Sequence, residues 1–388
     1  MLEIRPPEAS DRDAVAAIDS FSFNGRTRPE AVPLEGALCC FDGGRAVASA
    51  TALPFEQWFG GCRARCAGVA SVAVLPEYRG RGLAGRLVRQ LLEERRRGGD
   101  AVSVLYPANA ALYRQLGYEY AGLMPEFRMP VADLPAARGE VSEMTDADLP
   151  DIMACFARFA AQHNGPVQSG DHARWREHVL AHVGEGAHQR TVLVRGEGGV
   201  EGYASYFLGS WEGHGYPLIC KHLVALAPAC LRALLGHLRH FENSANSVSW
   251  RGAPSTAPVG IAARASAFSV VPEVRRWMLR VLDVGAALSS RGYGQTAGEV
   301  VIEVEDNLFP GNSGPWLLQV ERGEGRATVS AARPPVKPLP IGYFSALFTG
   351  FATPWDLVLL GALDEDDPRL ALLSALFGGP TPWMPDFF

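Results

Sequence analysis

A chain of 388 residues is long for one hydrophobic core, since cores stop growing near ~250–300 residues, so two or three domains are expected. Hydrophobic residues make up 47% and charged residues 20%, which excludes general disorder and leaves a folded enzyme or binding protein. The formal net charge of −6 argues against a nucleic-acid partner and mildly favours a cationic substrate.

The opening residues "MLEIRPPEASDRDAV" hold no basic region followed by an apolar stretch, and no apolar run reaches the ~18 residues of a membrane span. A cytoplasmic protein with no membrane partner is therefore expected. Seven cysteines, an odd number, speak for reduced thiols rather than a disulfide framework. Cys62 and Cys66 have no second Cys/His pair at ligand spacing, so no metal site is expected.

In chain order, "LEIR" reads as a strand stopped by Pro6 and Pro7, after which Ser10 or Asp11 caps a helix carrying Val15 and Ile18. "GRAVASATALPFEQWF" and "GCRARCAGVASVAVLP" are alternating or β-branched runs separated by glycines, hence strands of a meander. From Leu83 the spacing turns helical: Leu83, Leu87 and Leu91, with Val88 and Leu92 beside them, form one apolar face. Arg86, Arg89, Glu93, Arg96 and Arg97 lie opposite, and "RRRGGD" closes the helix with cations and a glycine stop. "AVSVLYP" is a further strand.

Between strand and helix stands "LPEYRGRGLAGRLV". The first turn of a helix offers unpaired N–H groups and partial positive charge, so it is a ready anion site. Gly80 and Gly82 allow close backbone approach, and Ala84 keeps the cradle uncrowded; a diphosphate fits there. The spacing is neither the dinucleotide nor the P-loop fingerprint. It is R-x-x-G-x-A, from Arg79, Gly82 and Ala84, and some 25 residues on "YPANAALYRQLGYEYAG" supplies an Asn, a short helix and L-Y-x-x-L-G-Y before a strand. With these two motifs in this order the sequence resembles the GCN5-related N-acetyltransferase (GNAT) family.

The resemblance implies a slot between two diverging strands, here Val69 to Leu75 and Val102 to Tyr106, with acetyl-CoA as co-substrate. The pantetheine arm would pair with the backbone of Val72 and Val74, and an N–H near Val72 or Ala73 would meet the oxyanion. The diphosphate would sit on the N–H groups of Gly80, Arg81, Gly82, Leu83, Ala84 and Gly85 beside Arg79, and Ala108 and Asn109 would flank the thioester. Tyr113 matches the family's general acid, whereas Tyr118 reads as structural.

Residues 131 to 139, "VADLPAARG", read as a linker, and "EVSEMTDADLPDIMACF" then repeats the plan of "EIRPPEASDRDAVAAI". "HLVALAPACLRALLGHLRHF" likewise resembles "ASVAVLPEYRGRGLAGRLVRQL" without its glycines and arginine. The expected organisation is a first GNAT domain over 1–130, a degenerate copy over 140–283 that binds no cofactor, and an α+β domain over 284–388. In the last domain, strands "GEVVIEVED", "PWLLQVERG" and "GRATVSAARP" precede helices around "IGYFSALFTGF", "WDLVLLGAL" and "RLALLSALFG".

This order resembles the enhanced intracellular survival (Eis) acetyltransferases. That resemblance implies an α/β (α+β) chain of two tandem GNAT folds and a sterol-carrier-protein-like domain, a homo-oligomer that is a hexamer, and small-molecule amine substrates such as aminoglycosides or other polyamines. It also makes the α-carboxylate of Phe388 the base, with Asp386 as the rival carboxylate. The apolar tail, with Trp383, Met384, Phe387 and Phe388, is expected to dock on the protein rather than dangle in water. The alternative reading is a non-catalytic carrier or scaffold that binds an apolar ligand in the last domain.

Overall fold

The computed structural model describes residues 2–25, 27–176, 189–254, 259, 269–270, 274–332 and 337–388. The first third runs β1 (Leu2–Arg5), α1 (Arg12–Ser22), β2 (Ala37–Asp42), β3 (Arg45–Phe59), β4 (Cys62–Val74), α2 (Leu83–Arg97), β5 (Val102–Leu105), α3 (Ala110–Arg114), β6 (Glu119–Met124) and β7 (Glu126–Pro130). The start of α1 differs from the expected single cap. A 3-10 turn at Ala9–Asp11 precedes it, the capping box joins Glu8 to Asp11, and Arg5 holds the Asp11 carboxylate at 2.8 Å. An additional strand, β2, comes from "ALCCFD", a run apolar on both faces rather than alternating.

The second third holds β8 (Ser142–Glu143), α4 (Leu149–Ala160), β9 (Val167–Gln168), α5 (His172–Arg174), β10 (Arg190–Gly196), β11 (Gly199–Leu208), β12 (Tyr216–Ala225), α6 (Pro228–Arg239), β13 (Ala245–Arg251), β14 (Ser269–Val270) and β15 (Arg275–Val281). The last third holds α7 (Val284–Ser290), β16 (Gly298–Glu305), β17 (Gly314–Glu321), β18 (Glu324–Val329), β19 (Leu339–Pro340), α8 (Ile341–Thr349), α9 (Pro354–Leu359) and α10 (Leu370–Phe377). The expected strands and helices of the last domain are all present.

The repeat is real in three dimensions. β4 and β5 pair in parallel around α2, as β12 and β13 do around α6. The two sheets also exchange strands. β15 lies between β5 and β6, antiparallel to both, while β7 pairs with β13 in the second sheet. Pro125 alone separates β6 from β7; lacking an N–H, it stops the ladder and lets the chain cross over. Neither sheet is complete without the other half's strand.

Residues 131 to 139 are packed, not a free linker. Val131 and Leu134 are buried, the Arg239 guanidinium donates to the carbonyls of Ala132 and Leu134, and a Cβ on Gly236 would come within 2.1 Å of the Ala137 oxygen. Two apolar side chains among the Pro and Ala residues suffice to bind the segment to α6.

The third unit, a β16–β17–β18 meander with β19 parallel to β16, covers the first sheet through α8, which packs on β15 and β6. One apolar core joins them: Phe59, Val104 and Trp277 with Phe344, Phe348 and Phe377. At this joint the buried Arg280 guanidinium donates to both carboxylate oxygens of Asp306 at 2.9 and 2.8 Å. All seven cysteines are free, and among the described residues no helix is long and apolar enough to cross a membrane.

Candidate active site

β4 and β5 stay paired only from Cys66 to Gly68; beyond Gly68↔Val104 they separate into a fork. A bulge opens it. The β3–β4 register shifts between Ser49 and Thr51, and opposite that shift Ser71 takes φ +51, a left-handed conformation rare for a residue with a Cβ. Asp19 of α1 steadies the bulge: its buried carboxylate accepts from the Ser49 hydroxyl at 3.1 Å, and the same hydroxyl lies 3.4 Å from the Ser71 carbonyl. Burial pushes the Asp19 carboxyl above its usual range, with the Ser49 and Ser71 hydroxyls opposing that shift.

The Leu75 N–H donates to Val47, so strand alternation turns the amides of Val72 and Val74 away from β3, toward the open side. Ala73 is buried and paired with Ser49, so its amide faces β3 rather than the fork. After β4 come a 3-10 turn at Pro76–Tyr78 and then Arg79, Gly80, Arg81 and Gly82, all exposed. Gly80 and Gly82 have φ +75 and +72, which glycine alone adopts cheaply, and a Cβ on either would meet open space.

Gly82 is the N-cap of α2 and supplies no side chain to it, and no acidic residue occupies the first turn. The first intrahelical bond that closes on the cap runs from Arg86 to Gly82, which leaves the N–H groups of Leu83, Ala84 and Gly85 for an anion. The arginines are held beside this loop: Arg79 Nε donates to the Val74 carbonyl at 3.2 Å, and Arg81 donates to Glu77 while covering the Tyr78 ring. The corresponding start of α6 has Ala227 as cap and Pro228 in the first turn, with no glycine and one N–H fewer. A diphosphate has no cradle there.

Tyr113 sits in α3, buried and edge-on to Tyr118 at 5.9 Å, and burial alone pushes its hydroxyl up to about 12. Tyr118 is tied to the sheet, with its hydroxyl 2.7 Å from that of Ser103, which donates to the Ala67 carbonyl. Asn109 caps α3 by accepting from the N–H groups of Ala111 and Leu112, and Ala108 beside it is exposed. Asn109 thus has a local structural task that the bare motif does not reveal.

The tail docks. It runs along β6 as one bridge, Leu123↔Trp383, with Leu123 N donating to Pro382 and Met384 N to Leu123, both at 3.0 Å. Trp383 and Met384 are fully buried, each stabilising the docked tail by about 1.5–3 kcal/mol. The Tyr106 hydroxyl, just past β5, donates to the Asp386 carbonyl at 2.8 Å. The Phe388 ring then lies 5.0 Å from Phe55 and 5.8 Å from Tyr106, and a Cβ on Gly68 would stand only 3.0 Å from it. The last residue therefore rests on the last paired residue of β4, at the root of the fork. Asp386 turns away, its carboxylate 2.9 Å from His222 Nε2.

Sequence reasoning misses Asp19, Tyr106 and His222. Asp19 hides on the apolar side of α1, and Tyr106 looks like a strand end. His222 carries a signal, standing with Lys221 as the two polar residues inside the otherwise apolar run "LICKHLVAL".

Residues 3–121 match the model of an acetyltransferase (GNAT) domain, residues 169–281 a second model of that description, and residues 284–385 the model of a sterol carrier protein domain. The chain thus carries two GNAT domains, which make it an acetyltransferase, followed by a sterol carrier protein domain. It is 28% identical over 347 residues to an uncharacterized N-acetyltransferase of Streptomyces coelicolor, a match spanning 85% of this chain and 82% of that one. Among solved structures it is similar to a GCN5-related N-acetyltransferase from Anabaena variabilis, 25% identical with a TM-score of 0.92 over 100% of both chains. In fold it also resembles Eis1 from Mycobacterium abscessus, 22% identical with a TM-score of 0.81 over 100% of both.

Proposed function

We propose that the chain transfers the acetyl group of acetyl-CoA to a primary amine of a small polyamine, aminoglycosides included, by direct attack of the amine on the thioester. One observation carries this reading: the tail brings Phe388 to the root of the same fork whose far end meets an uncapped, glycine-opened helix start. An acceptor for the amine proton and a cradle for the diphosphate thus flank one slot. The open amides of Val72 and Val74 suit the pantetheine arm, and an N–H at this edge suits the oxyanion. Tyr113 supplies a proton to the departing thiolate, and the α-carboxylate of Phe388 takes one from the amine. Transfer assays with acetyl-CoA and a panel of polyamines, read by free thiol release and product mass, test it. Hydrolysis without transfer to any amine would overturn it.

The cradle gives a separate expectation. Gly82→Val must force a β-branched residue to φ +72, at a strain of about 1–3 kcal/mol, and its side chain fills the approach to the loop. Acetyl-CoA affinity measured by calorimetry should fall below detection while the circular dichroism spectrum stays native. Unchanged affinity would remove the diphosphate from this loop.

A homo-oligomer, a hexamer by the Eis resemblance, belongs to the same proposal. Trp355, Leu359 and Leu360 in and just after α9 offer it an exposed apolar face. Sedimentation velocity of the full chain tests it, and a monomer at micromolar concentration would refute it.

A further inference from the structure

We infer that the second domain, whose own fork lacks a diphosphate cradle, is a socket for the C-terminal tail, with His222 and Arg251 as the positioning residues that aim Phe388 into the first fork. The inference rests on the proposed role of the Phe388 carboxylate. β12 and β13 are paired as far as Cys220↔Trp250, which matches Gly68↔Val104 in the first domain, and both His222 and Arg251 lie just beyond that last pair. Arg251 Nη1 donates to the Pro385 carbonyl at 2.9 Å, and His222 Nε2 lies 2.9 Å from Asp386 Oδ1. The next contacts belong to the first domain: the Tyr106 hydroxyl on the Asp386 carbonyl, and Phe55 on the Phe388 ring. Asp386 is therefore gripped from both forks at once, two residues before the reacting end.

The grip is built to hold one geometry. A carboxylate only accepts, so Nε2 donates its proton to Asp386, while Nδ1 lies 3.0 Å from the Tyr203 hydroxyl, which anchors the other side of the ring. Phe156, Trp175 and Tyr203 surround the imidazole at 5.3 to 6.3 Å from one another or from its ring, fixing its rotamer. Tyr203 and His222 are both buried. Lys221, on the register shift next to His222, and Arg251 add positive charge toward Asp386. A solvated chain end would need none of this, and a stability role alone would not require the chain to be held on both sides of Asp386.

The test uses the full chain, a polyamine that the native enzyme acetylates, and carboxypeptidase digestion followed by mass spectrometry. His222→Ala should expose the tail, speeding removal of Phe388 and Phe387 by about tenfold, the factor expected for one lost hydrogen bond to a carboxylate. The kcat should fall by about 10–10²-fold with the KM for acetyl-CoA unchanged, because a base displaced by an ångström fails while the cradle stays intact. His222→Gln keeps an N–H donor near the Nε2 position and should recover most of both losses. Arg251→Gln, at a half-buried site, should repeat the tail release if His222→Ala proves unstable.

Native protection and native turnover in these variants would overturn the socket. A released tail with native turnover would overturn the positioning role. The proposed carboxylate itself is judged separately, by extending the chain beyond Phe388: a slow extended enzyme with indifferent His222 variants leaves the base standing and removes the socket.

Discussion

Extension of the chain by a few residues past Phe388 is expected to leave acetyl-CoA affinity unchanged and to slow acetyl transfer by about 10²–10⁴-fold, the range for a lost acid or base. The extension turns the terminal carboxylate into a neutral amide, which accepts no proton from an attacking amine. It should not undock the tail, because the bridge to Leu123 and the buried Trp383 and Met384 lie four or more residues back. The cradle at Gly80 and Gly82 belongs to another part of the chain and stays as it was. Deleting Phe388 should be as damaging, since the new terminus falls one residue short of Gly68 and Phe55.

Asp386→Asn separates the rival carboxylate. Asn still accepts from His222 Nε2, so a tail held as observed should work nearly normally, whereas an Asp386 base would be crippled by that change and indifferent to the extension. Native turnover in the extended enzyme would end the terminal-carboxylate mechanism for this protein.

The first slot was legible because its chemistry is local. A strand, two glycines at left-handed φ, an uncapped helix start and the L-Y-x-x-L-G-Y stretch all lie within one segment of chain, and local spacing suffices to place them. The degeneracy of the second copy was legible for the same reason, as lost glycines and a proline in the first helical turn. What stayed hidden depends on pairs far apart in sequence. Nothing in β7 or β15 announces that each joins the other half's sheet, since strand pattern encodes which face is buried but not which neighbour is paired.

Ala73 illustrates the limit at single-residue scale. It stands among the slot residues in sequence, yet a ladder bond fixed by Val47 and Leu75 turns its amide the other way. His222 and Asp386 are 164 positions apart, and only the folded chain makes them partners.

Replacement of Tyr113 by Phe is expected to lower turnover by about 10²–10⁴-fold while stability changes by less than about 1 kcal/mol. The ring packs edge-on against Tyr118 and beside Leu105 and Leu116, and Phe keeps all of that surface. The hydroxyl is what is lost. Burial without any charged neighbour raises it to about 12, so it stays protonated throughout the neutral range and can donate, as the proposed role requires, but not act as a base. A thiolate with an unperturbed affinity near ~8.5 gains from such a donor as it departs, even where full proton transfer is completed by solvent.

Two readouts separate catalysis from packing in Tyr113→Phe. The KM for acetyl-CoA should hold while kcat falls, and an acetyl donor with a better leaving group than the CoA thiolate should lose less than acetyl-CoA does, because it needs less help to depart. The parallel change Tyr118→Phe should instead cost stability, since it strips the Ser103 hydroxyl of a partner buried at 2.7 Å, while leaving the leaving-group dependence as it was. If Tyr113→Phe turns over at the native rate with every donor, the ring is there only to fill the space between α3 and the sheet, and the thiolate must find its proton elsewhere.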